Sequence, residues 1–102
     1  DVVQWLTNQS IHLISLELNG VSLTLDDLQQ LTRWQGFSSL EKLSLANTGL
    51  SDEMLSYLLP QIRNVSELNL SANQLTPNSF EYWNTTNSPL KTLILANNNW
   101  AN

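Results

Sequence analysis

The sequence predicts an α/β fold made of repeating strand–helix units, and three observations point there. One short apolar pattern, L-x-x-L-x-L with a further apolar residue five positions on, starts at Leu13, Leu40, Val65 and Leu90. These starts are 27, 25 and 25 residues apart, and a near-constant period of this size marks an array of like structural units. Between the strands, apolar pairs three residues apart stand at Leu28/Leu31, Leu55/Leu58 and Phe80/Trp83, the spacing of one buried helical face.

The elements follow in order. Val3 and Leu6 precede Leu13 by the same distances at which Leu55/Leu58 precede Val65 and Phe80/Trp83 precede Leu90. Residues 1–12 therefore read as the helical half of a leading unit, or as a cap. The first strand carries Leu13, Leu16, Leu18 and Leu23, and Thr24-Leu25-Asp26-Asp27 then offers a hydroxyl cap with an acid three residues on. The second carries Leu40, Leu43, Leu45 and Leu50. Ser51-Asp52-Glu53 opens its helix with a cap and two acids that suit the dipole, and Leu59-Pro60 ends it. Val65, Leu68, Leu70 and Leu75 make the third strand, and Thr76-Pro77 puts proline at the first helical position of a helix near Pro77–Trp83, the shortest. Leu90, Leu93 and Leu95 make the fourth, with Trp100 in place of the last leucine. Strands are expected near 15–19, 42–46, 67–71 and 92–96.

Val65–Leu75, with Asn73 two residues before its last leucine, reads L-x-x-L-x-L-x-x-N-x-L. That pattern resembles a leucine-rich repeat, and the resemblance covers nearly the whole chain. Units of 25 to 27 residues are similar to the ribonuclease-inhibitor-like and the cysteine-containing classes of that family. The resemblance implies a right-handed solenoid of about four repeats, with parallel strands on the concave face and helices on the convex face. It also implies a non-catalytic protein–protein interaction module. Val21 and Thr48 depart from the asparagine position that Asn73 and Asn98 fill. The family's asparagine hydrogen-bonds backbone in the turn after the strand; threonine replaces it in part and valine does not.

Composition bounds the rest. Hydrophobic residues are 41% of the 102, enough for the core of one domain, residues 1–102. A net charge of −5 with only four basic residues leaves no stripe to engage nucleic acid, so none is expected as a partner. No apolar run approaches the roughly 20 residues that span a bilayer. The chain lacks cysteine, which excludes disulfides and thiolate sites and favours a cytoplasmic or bacterial secreted location. His12 is the lone histidine, and no carboxylate pair, phosphate loop or ligand spacing stands out, so no catalytic, cofactor or metal site is expected. The chain begins without methionine, and no polar cap follows the fourth strand, so a piece of a longer solenoid is expected.

Strand side chains alternate between faces. With the leucines inside, the outward residues nominated for partner contact are Glu17, Asn19, Lys42, Ser44, Glu67, Asn69, Thr92 and Ile94. Lys42 and Glu67 fall side by side and can simply pair with each other. Trp34 and Trp83 read as core. Trp5 and Trp100 stand at the two ends, where Trp100 either covers the core or meets a partner. Two other functions compete: self-association through the open C-terminal end at Leu93, Leu95 and Trp100, and a glycosylated extracellular ligand-binding ectodomain. The second rests on N-x-S/T sequons at Asn8, Asn64, Asn69 and Asn84, of which a glycan on Asn69 would block the strand face.

Overall fold

Ser15–Glu17 (β1), Lys42–Ser44 (β2), Glu67–Asn69 (β3) and Thr92–Ile94 (β4) form one parallel sheet, ordered as in the chain, in a computed structural model that describes residues 1–101. Asn102, the last residue of the domain expected from the sequence, lies outside them. Each strand is in step with the next, so that Leu16, Leu43, Leu68 and Leu93 form one row across the sheet. Parallel neighbours need a crossover. Helices Leu25–Arg33 (α2) and Asp52–Leu58 (α3) supply the first two, followed by 3₁₀ turns Gln35–Ser39 and Leu59–Gln61. A leading helix, Val2–Thr7 (α1), packs on α2. No helix among the described residues is long and apolar enough to cross a membrane.

Local chemistry fixes where the helices start. Thr24 accepts from the Asp27 N–H while the Asp27 carboxylate accepts from the Thr24 N–H, a complete capping box. Ser51 caps α3 through the Met54 N–H. Pro60 stops α3, and the chain continues only as the 3₁₀ turn around it. Asp52 joins neighbouring crossovers by accepting from both the N–H and the hydroxyl of Thr76.

The core is a slab of leucine between sheet and helices. Leu28, Leu31, Leu40, Leu45, Leu50, Leu55, Leu58, Leu70 and Leu75 are fully buried, each contributing about 1.5–3 kcal/mol. Trp34 joins them, as the sequence predicts, although it lies just past α2 in extended backbone and donates its indole N–H to the Gln9 carbonyl at 2.8 Å.

Asparagine ties the turns after the strands. Asn73 Oδ1 accepts from the N–H groups of Thr48 and Leu50, both at 2.9 Å, and its Nδ2 donates to the carbonyls of Leu45 and Leu70. Asn98 repeats this with the Leu75 N–H, Leu70 and Leu95. Where Thr48 replaces asparagine, its hydroxyl bonds the Leu45 carbonyl, and its own carbonyl accepts from the Leu23 N–H. The turn at Val21 is closed by main chain alone, Val21 N–H to the Leu18 carbonyl. Every strand is also followed by a residue in left-handed backbone: Gly20 (φ +80°), Asn47 (+56°), Ala72 (+58°) and Asn97 (+60°). Glycine and asparagine tolerate this; alanine at position 72 costs about 1–2 kcal/mol.

The C-terminal part, from the third crossover on, departs from the sequence reading in two ways. The third crossover, Pro77–Thr85, is a 3₁₀ helix rather than an α-helix. Asparagine, serine, threonine and adjacent aromatics are weak helix formers, and the tighter winding turns Ser79 rather than Phe80 into the core. Phe80 is 58% exposed and stacks on Trp100 with ring centroids 5.3 Å apart; Trp83 is half-buried. In the leucine row, Leu68 is 1% exposed but Leu93 is 40% exposed, because no further layer lies against β4 among the described residues.

Candidate functional site

Eight of the nine residues nominated for contact are gathered on one surface. Glu17, Asn19, Lys42, Ser44, Glu67, Asn69, Thr92 and Ile94 line a single open groove of about 470 Å³ on the strand face. All four strands contribute because the side chains between the buried leucines face outward in register. Ser15, which the same alternation turns outward, lines it too. Trp100 stands apart from the groove, half-buried at the β4 end, with its indole N–H on the Leu95 carbonyl at 2.7 Å. A second depression of about 560 Å³ lies among Ile14, Glu41, Ser66 and Lys91, and no nominated residue lines it.

The groove's polar groups differ in how far they are engaged. Lys42 and Glu67 form an ion pair at 3.5 Å, both about half exposed, and such a pair adds about 0–1 kcal/mol. Glu17 has no cation within ion-pairing distance among the described residues. Asn19 Oδ1 accepts from the Ser44 hydroxyl at 2.6 Å and the Ala46 N–H at 3.0 Å, a cross-strand tie invisible to the alternation rule. Asn69 Oδ1 accepts from the Ser71 N–H at 3.0 Å. Ile94 leaves its aliphatic chain exposed at the β4 end.

The four sequons separate by position. Asn8 and Asn84 are exposed on the helical side, while Asn64 donates its amide to the Ser38 carbonyl at 2.8 Å and Asn69 is half-buried in the groove. Trp5 is exposed on α1.

No family model matches the sequence. Leucine-rich repeat-containing protein 75B of Homo sapiens is 37% identical over 67 residues, which cover 61% of this chain and 21% of that protein. Among solved structures, the tropomodulin C-terminal domain of Caenorhabditis elegans superposes with a TM-score of 0.67 at 22% identity, over 94% of this chain and 62% of that one. The chain thus spans about a fifth of the human relative and less than two thirds of the nematode domain. An α/β fold with parallel strands like that of the tropomodulin domain, together with the human relative, supports a leucine-rich repeat relationship for this chain.

Proposed function

We propose that the chain is a non-catalytic protein–protein interaction module that takes its partner on the concave strand face of a right-handed solenoid. In this reading the solenoid has about four leucine-rich repeats, most similar to the ribonuclease-inhibitor-like and cysteine-containing classes. One observation carries the reading: outward residues of all four strands line one groove, which holds at one end a carboxylate with no cation partner among the described residues and at the other an exposed aliphatic side chain. The experiment is capture of a partner on the full chain, repeated with Glu17→Lys combined with Lys42→Glu. Both residues are exposed, so the melting temperature stays within a few degrees. A partner held by the native chain and lost by the variant supports the groove. Equal retention by both places the contact elsewhere.

A second reading, pairing of two copies through the β4 end, is favoured by Leu93, which is 40% exposed in an otherwise buried row, and by the Phe80–Trp100 stack beside it. Light scattering over a concentration series tests it. Pairing predicts a dimer that Trp100→Asp abolishes; a monomer at every concentration removes the reading.

A further inference from the structure

The groove's asparagines differ from those of the turns. Asn73 and Asn98 are engaged at both the oxygen and the nitrogen of the side-chain amide. Asn19 and Asn69 are engaged at the oxygen alone, and neither Nδ2 has a hydrogen-bond partner among the described residues. Their orientation is fixed, because turning either amide over would set its N–H₂ against a backbone N–H, that of Ala46 or Ser71. Two groove-lining amides therefore keep their N–H₂ donors free among the described residues, while the Asn19 oxygen holds two bonds and the Asn69 oxygen one. Glu17, Ser44, Asn69 and Ile94 stand in one register row across β1 to β4. The row runs from a carboxylate with no cation partner among the described residues, past the Ser44 hydroxyl and the Asn69 amide, to an exposed aliphatic side chain, with the Asn19 amide two residues beyond Glu17.

We infer that this groove takes an extended peptide segment of a partner protein, lying across the strands, with a basic side chain at one position and an aliphatic one four residues later. The inference rests on the strand-face reading above and names the partner's chemistry. Three strand spacings of about 4.8 Å separate Glu17 from Ile94 by about 14 Å, and four residues of extended chain at about 3.3 Å each cover about 13 Å. Four is also an even number, so both side chains of such a segment point to the same side, into the groove. The basic group meets Glu17 and the aliphatic one covers Ile94, while carbonyl oxygens of the segment accept from Asn19 and Asn69. A segment that leaves those carbonyls unmatched, or offers an acid to Glu17, is disfavoured. The chain's net charge of −5 pulls in the same direction, toward a basic partner.

The test is selection from a displayed library of random dodecapeptides on the full 102-residue chain, followed by affinity measurement of the enriched peptides. Enriched sequences are expected to carry Lys or Arg followed four residues later by Leu, Ile or Val. Glu17→Lys and, separately, Ile94→Asp are each expected to weaken them about tenfold or more, with melting temperatures unchanged, while Glu53→Lys on α3 leaves them as they are. Peptides that lack the spacing yet are lost on Asn69→Arg, which fills the groove, overturn this inference and leave the strand-face reading standing. Peptides indifferent to all the groove variants overturn both. A library from which nothing is enriched overturns the inference.

Discussion

Replacing Asn73 by alanine is expected to lower stability by about 4 kcal/mol, because each buried backbone group left without a partner costs about 1–3 kcal/mol. The side chain is buried, and its oxygen receives two backbone N–H groups and the Thr48 hydroxyl, while its nitrogen serves the carbonyls of Leu45, Leu70 and Ser71. Alanine removes all of these at once, and the space it leaves is too enclosed for water to replace every bond. Against a total of about 5–15 kcal/mol for a domain, such a loss brings the chain close to unfolding at ordinary temperature. Urea denaturation followed by far-ultraviolet circular dichroism measures it. Asn98→Ala, at a half-buried copy of the same motif that caps a single N–H, is expected to cost about 1–2 kcal/mol. Equal and small losses at both positions would mean that the turns are not held by these side chains.

A second contrast uses the leucine row. Leu68→Ala is expected to cost about 3–4 kcal/mol, within the range for a buried leucine whose surroundings cannot collapse. Leu68 lies between Leu43 and Leu93 in the sheet and is almost wholly enclosed. Leu93→Ala, one strand along in the same row, is expected to cost only about 1 kcal/mol, since its side chain is 40% exposed and leaves no closed cavity. The two variants differ in position within the sheet and not in chemistry. The measurement is the shift in denaturation midpoint at constant slope. Comparable losses would contradict the burial gradient toward β4.

Much of this was legible in the chain because its signals are local and repeated. The strands at Ser15, Lys42, Glu67 and Thr92 follow from leucine alternation, and the helix starts at Thr24 and Ser51 follow from hydroxyls with acids close behind. The third crossover departs from what spacing alone predicts: Phe80 and Trp83 keep the interval of Leu55 and Leu58, yet in the 3₁₀ helix Phe80 is exposed and Trp83 packs on the core only half-buried. Left-handed backbone falls on Gly20, Asn47 and Asn97, residue types that favour it, and on Ala72, where the neighbouring turns impose it; the leucine spacing marks none of the four. In the groove, alternation indicated which side chains face outward, and the Lys42–Glu67 pair followed from adjacency in register. The fixed amide of Asn19 did not, since it depends on a bond to Ser44 and Ala46 on a strand about 25 residues away.

Carboxylates lie on both sides of the molecule, Glu17 and Glu67 in the groove and Asp26 and Glu53 on the helices, all exposed. Carbodiimide labelling of the chain, alone and with a captured partner, therefore asks directly which side is covered. Occupation of the strand face predicts that labelling of Glu17 and Glu67 falls on binding, while Asp26 and Glu53 react as before. Protection of Asp26 and Glu53 with Glu17 and Glu67 still reactive would contradict it, and would put the interaction surface on the helices.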